Sequence, residues 1–255
     1  MRQAVWLGVI LAAAILMVAE HVYAGVRGRS FVRRLLSSDD VLCLGGKEDS
    51  VLKIAERFRP VIAHCDDEPY PPRRLLLLPR VHGDRLLLDY RVVRDNERHP
   101  VRVIHYLYCG FRFFYFGSAR DIEYIQVEVD LTSGGVAGVA FERARLGKIT
   151  VQHVASRLEL GGDEGEPCRL HSGSRPPAAF TPLRREECSS SGLPFVFILA
   201  SWNGLFRVAE TESDIAELLT ADGLPVRICD GLTAYRYRLW RRSRATSGPQ
   251  QGPRT

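Results

Sequence analysis

The spacing of hydrophobic positions divides this chain into a leader, a short helical stretch and a long strand-rich body. Residues 4–19 form an unbroken apolar run of 16 residues behind Arg2. Residues 51–58 then carry apolar side chains at helical spacing, with Ser50 placed to cap the first turn and Pro60 to stop the last. From there to about residue 160 the period shortens to the two-residue repeat of strands. Residues 73–78 and 85–93 are apolar runs on either side of a turn over 79–84, and residues 101–116 read as one long aromatic strand. Residues 122–131 alternate best: Ile122, Tyr124, Gln126 and Glu128 share one face, and Glu123, Ile125, Val127 and Val129 the other. Ser133-Gly134-Gly135 turns the chain into a strand over 136–141. Further strands are predicted over 149–160, 193–200 and 233–240, and a helix over 214–221, capped by Thr211 and closed by Gly223.

Many strands and few helices predict a mostly β fold, an antiparallel β-sandwich with a few short helices and an N-terminal hydrophobic leader helix. Residues 1–24 are expected to be a signal peptide or membrane anchor, and 25–49 a connecting segment with one basic helical turn near 31–36. The sandwich domain is expected over 50–240, followed by a disordered basic tail over 241–255. Within the domain, residues 161–194 are rich in Gly, Pro, Ser, Arg and Glu and read as a loop-like insertion.

As a helix the leader run spans about 24 Å, short of the roughly 30 Å hydrocarbon core of a bilayer. Val22 and Ala24 satisfy the small-residue rule for leader cleavage, so the first reading is a cleaved signal peptide and an extracytoplasmic, secreted or membrane-anchored protein. Arg27, Arg29, Arg33 and Arg34 outnumber Arg2 across the run, which favours the alternative, an uncleaved anchor with the membrane as its partner.

Composition removes several classes. With 255 residues, 45% hydrophobic and 25% charged, the chain is neither disordered nor fibrous, and a single long apolar run excludes a multi-span membrane protein. The net charge of +5 comes almost wholly from arginine, because lysine occurs only at Lys47, Lys53 and Lys148. The arginines are scattered among acids and accompany no nucleic-acid motif, so no nucleic-acid partner is expected. The basic stretch from Arg236 to Arg244 reads as one exposed strand face running into a solvated tail. The six cysteines lack a CxxC pair, which argues against zinc; Cys168 and Cys188 flank the insertion and are the first disulfide candidates. There is no GxSxG elbow, HExxH, P-loop or dinucleotide fingerprint, so an enzyme is disfavoured.

Three segments carry a resemblance. The run from Phe116 to Glu123, Phe-Gly-Ser-Ala-Arg-Asp-Ile-Glu, resembles the His-x-Gly-Asp-Trp-Glu segment of the vacuolar protein sorting-associated protein 62 family. It is also similar to the Gly-His-Arg-His-Asp-Trp-Glu heptapeptide of the necrosis- and ethylene-inducing-like proteins. Residues 59–71 are similar to the entry segment of the first family, and residues 193–200 to its late strand. The resemblance, over about residues 56–206, implies a β-sandwich whose motif strand carries a divalent-cation site. Ser118, Arg120 and Ile122 stand where the patterns have two histidines and a tryptophan, and Asp121 and Glu123 survive.

Asp121 and Glu123 are therefore the first candidate metal ligands, their carboxylates projecting from one face of a strand towards Ca²⁺ or Mg²⁺. The plain alternative is a pair of solvated carboxylates at a strand mouth, with Asp121 paired to Arg120. His64 and Glu68, in the His-Cys-Asp-Asp-Glu run over 64–68, join the metal candidates if the fold brings the two mouths together. Otherwise that run is a charged loop between prolines. His105 and His153 are expected as core histidines within strands; Trp202 and Asn203, at a strand end, are candidates to line a ligand pocket, with a core position for the aromatic as the plain alternative. The leading expectation is a non-catalytic binding or structural module at the cell envelope with a decayed cation site. The alternative is cation-dependent binding of a glycan or lipid head group.

Overall fold

The computed structural model describes residues 2–96, 101–116, 118, 120–146, 151–159, 168–172, 178–180, 196–199, 206–209, 216–221 and 223–240. Trp202, Asn203, Cys188 and the tail over 241–255 lie outside them, as does most of the insertion over 161–194.

The apolar leader opens a helix, α1 (Arg2–Val32), which continues well past the expected boundary at residue 24. Its stretch Trp6–Val32 is long and apolar enough to cross a membrane. The segment expected to be a mere connector also holds a hairpin of β1 (Val41–Leu44) and β2 (Lys47–Ser50). Gly45 and Gly46 both take positive φ there, as a two-residue hairpin turn demands. The Ser50 hydroxyl accepts from the Lys53 amide and starts α2 (Val51–Arg57), as its position in the sequence predicts.

The largest sheet is built on a hairpin of β4 (Arg74–His82) and β5 (Arg85–Arg94), joined by Gly83 and Asp84. The strand runs straight through Pro79, which was expected to turn. The Pro79 carbonyl accepts from the Leu36 amide, on the side where the ring nitrogen has no donor to offer. That side is open because the neighbouring strand β14 (Val226–Ile228) reaches only to Leu77, so no ladder bond is lost. β5 pairs in turn with β6 (Asp121–Asp130), β6 with β7 (Val136–Leu146), and β7 with β8 (Val151–Glu159). β9 (Cys168–Ser172) and β10 (Ala178–Phe180) complete the eight strands and lie where a loop was expected. A second sheet of four strands places β3 (Val61–His64) between β11 (Val196–Leu199) and β13 (Leu219–Thr220), with β12 (Phe206–Val208) outside β11. Pairing is antiparallel except at β3–β11 and β4–β14, so the sheets are mixed rather than wholly antiparallel.

One core joins the two sheets. Leu77, Tyr90, Ile125, Val127 and Phe141 of the large sheet pack with Ile62, Phe197 and Leu199 of the small one and with Ile54 and Phe58 of α2. The Phe141 and Phe197 rings meet edge to face at 5.6 Å. Tyr90 donates its phenol to the Ala55 carbonyl at 2.7 Å, which ties α2 to the sheet, and its burial pushes the phenol pKa well up.

The outer face of the large sheet is covered by α1 and a last helix, α4 (Gly231–Tyr237), where a strand over 233–240 was expected. The cause is local. The Asp230 carboxylate accepts from the Thr233 amide at 2.6 Å and caps the helix, and these bonds to Thr233 hold its pKa below the usual carboxylate value. Arg238 then closes the helix in the left-handed region. The expected helix over 214–221 is likewise absent where the chain is described: residues 216–218 turn and β13 follows.

The largest departure is over residues 101–116. Aromatic and β-branched composition points to a strand, yet the segment is α3 (Arg102–Phe116), inserted between β5 and β6. His105 consequently sits on a helix, half-buried, with Nε2 3.7 Å from the Cys109 sulfur. His153 lies in β8 as expected.

Candidate functional site

Strand pairing decides where the motif carboxylates point. Asp121 opens β6 directly opposite Arg94, the last residue of β5, and Glu123 stands opposite Val92. The two-residue period puts both on the face of Ile125 and Val127, towards the core shared by the sheets. Asp121 is only 2% exposed and Glu123 4%. They are not solvated residues at a strand mouth.

A buried carboxylate requires a charged or hydrogen-bonding partner. Arg120, the expected partner of Asp121, instead donates to the Tyr237 hydroxyl at 2.5 Å. Asp121 is met by two other arginines. Arg112 Nη2, from α3, donates to Asp121 Oδ1, and Arg94 Nη1 lies 3.7 Å from Asp121 Oδ2. Arg94 is fully buried and acts as the hub: Nη2 donates to Glu68 Oε1 at 2.5 Å and Nε to the Tyr70 carbonyl at 2.8 Å. Glu68 Oε1 also accepts from the Tyr70 amide at 3.2 Å. The proline-flanked loop after β3 thus turns Glu68 inward, where a solvated charged loop was expected.

The structure therefore brings Glu68 and Asp121 together, but through a guanidinium between them. His64 ends β3, pairs with Leu219, and holds Nδ1 2.9 Å from the Cys65 carbonyl. Arg94 and Arg112 are the members that sequence reading missed. Arg94 continues the in-phase series Tyr90, Val92, Arg94 along β5, and Arg112 is the lone arginine of the aromatic-rich run over 103–116.

The Glu68 and Asp121 carboxylates and the Arg94 and Arg112 guanidinium groups pair two with two. A guanidinium is planar and carries five donors, so it can satisfy carboxylates on more than one side and cannot be deprotonated. It places positive charge against the oxygens that a hard cation would use. Among the described residues, no group of three or more His, Cys, Asp and Glu side chains is arranged to hold a metal. A second buried pair, Arg91 to Asp89 at 2.8 Å, lies on the outer face, with Arg91 5.2 Å over the Tyr124 ring.

Two other features bear on chemistry. A groove of about 650 Å³ opens between α1 and α4, lined in part by His21, Val26, Arg29, Leu232 and Tyr235, and not at the motif carboxylates. Cys229 lies buried between β14 and α4, and burial, with Asp230 beside it, pushes its thiol up to about 12. It is therefore protonated and inert at neutral pH. Iodoacetamide treatment of the folded protein, read by peptide mass, is expected to modify exposed Cys43 and leave Cys229 untouched. Equal modification of both would contradict this placement.

No protein-family model, curated protein or solved structure matches this chain.

Proposed function

We propose that this protein is a membrane-anchored β-sandwich serving as a non-catalytic binding or structural module, in which arginine stands in for a divalent cation at the motif strand. The observation that carries this reading is the buried cluster of Glu68, Arg94, Asp121 and Arg112. Its carboxylates are already neutralised, and none is presented to solvent as a nucleophile or base. The resemblance of the motif segment to the vacuolar protein sorting-associated protein 62 family supplies an origin for the cluster. In this chain the histidine and tryptophan positions are Ser118, Arg120 and Ile122, and the positive charge comes from Arg94 and Arg112.

Retention of the leader is supported by its packing. Ala24 is fully buried, Glu20 pairs with Arg238 at 3.1 Å, and Tyr23 meets the Trp240 ring at 5.5 Å. Cleavage after residue 24 would remove all three contacts, so α1 acts as an anchor whose lower half belongs to the domain. Cation-dependent binding of a glycan or lipid head group through Asp121, Glu123, His64 and Glu68 would require arginine to release the Asp121 and Glu68 oxygens.

The test is thermal melting of the full chain in detergent with millimolar calcium or magnesium chloride. The melting temperature is expected to stay where chelator leaves it. A rise that is lost in Asp121→Ala would overturn the reading in favour of a working cation site.

A further inference from the structure

α3 reverses the usual order of an amphipathic helix. Its half-buried and buried positions are polar or weakly polar: His105, Cys109 and Arg112, at the i, i+4, i+7 spacing of one helical face. Cys109 lies 3.4 Å from Asn96 Nδ2 just beyond β5, and Arg112 reaches Asp121 at the start of β6. The remaining faces are apolar and exposed: Val103 is 68% exposed, Tyr106 72%, Leu107 70% and Phe113 66%, with Ile104 and Phe111 also open. A water-facing helix of a monomeric domain carries its charges on the outside, and contiguous apolar surface of this kind marks a contact with something apolar.

The position of α3 selects the partner. Leu36 bonds to Pro79, halfway along β4; Gly28 packs on Tyr235 of α4; and Glu20 pairs with Arg238, just past its end. Tyr237, beside Arg238, bonds to Arg74 and Arg120, at the first residue of β4 and just before β6. α1 thus runs antiparallel to α4, and its exposed apolar residues 6–19 extend past the end of the sheet at which α3 is inserted. Both apolar helices leave the body from one end.

We propose that α3 is a second membrane contact, lying in the bilayer interface with Val103, Leu107 and Phe113 among the acyl chains, beside the anchor α1. This rests on the reading of α1 as an anchor. Fifteen residues span about 22 Å, too short to cross the hydrocarbon core, so α3 lies along the interface and does not traverse it. Tyr106 and Tyr108 suit the boundary between acyl chain and head group, and Arg102 at its first turn suits anionic lipid. The Arg112–Asp121 pair then fixes the height of the sheet over the membrane.

The full chain is reconstituted in vesicles of phosphatidylcholine and phosphatidylglycerol, with the photoreactive residue p-benzoylphenylalanine at position 11, 107 or 81 in separate variants. Leu11 lies on α1, Leu107 on α3, and Val81 at the opposite end of β4; all three are exposed, and unchanged melting confirms folding. Lipid adducts at 11 and 107 and none at 81 are expected. A lipid adduct at 11 without one at 107 overturns the α3 contact alone. Absence at both overturns the anchor and, with it, this proposal. Crosslinking of position 107 to a second copy of the chain, in place of lipid, assigns α3 to self-association and also overturns it.

Discussion

Replacing Asp121 with alanine is expected to lower the stability of the folded protein by about 3–5 kcal/mol, the range found when one partner of a buried ion pair is removed. The loss has a specific origin. Arg112 is 2% exposed and Arg94 fully buried, and neither can lose its proton. Arg94 keeps Glu68 and the Tyr70 carbonyl, and Arg112 keeps the Arg120 carbonyl at 3.3 Å, but both guanidinium groups lose the buried carboxylate they share. Asp121→Asn preserves shape and the Ile122 amide contact but not the charge, and is expected to recover only part of the loss. Chemical unfolding of the full chain in detergent measures both. A cost below about 0.5 kcal/mol for the alanine variant, typical of a surface position, would show that the carboxylate is not held in a buried ion cluster.

The second large effect is at Phe197. β11 has only four residues, and its inward side chains connect the small sheet to the large one. Phe197 is fully buried and meets Phe141 edge to face, so Phe197→Ala is expected to cost about 3–5 kcal/mol in the same unfolding experiment. Phe141→Ala alone should cost a similar amount. The double variant should be less unstable than the sum by about 0.5–1.5 kcal/mol, the worth of an aromatic pair beyond its area. Strict additivity would mean that the two sheets do not share this contact.

These two sites differ in how far they were legible in the sequence. The alternation of Ile125, Val127 and Val129 against Tyr124 and Gln126 separated the two faces of β6, because a two-residue period has only two phases. The sequence set Asp121 and Glu123 on one face of the strand, and it is the structure that turns that face inward. The identity of their partners was not legible, since Arg94 and Arg112 lie 27 and 9 residues from Asp121 and are joined to it by pairing and helix docking. The aromatic run over 101–116 misled for a related reason. Strand preference is a weak prior on a half-buried surface, and the polar face of α3 is only His105, Cys109 and Arg112, too sparse among aromatic and β-branched residues to display the helical period. α4 was missed although Asp230 and Thr233 carry a helix-start pattern, because Tyr235, Tyr237 and Leu239 alternate with Arg236 and Arg238 like a strand. The leader was legible as an apolar helix, and its continuation to Val32 was not, because Gly25 and Gly28 interrupt the apolar pattern there. Gly28 is instead a contact position: a Cβ would come within 3.2 Å of the Tyr235 backbone nitrogen.

The claim on which the functional reading rests is that arginine closes the motif carboxylate. It is measured most directly by a double-mutant cycle of Asp121→Asn and Arg112→Gln in the full chain. The two single losses are expected to exceed that of the double variant by about 1–3 kcal/mol, as for neighbours in one ion network. Losses that simply add, to within about 0.5 kcal/mol, would contradict it.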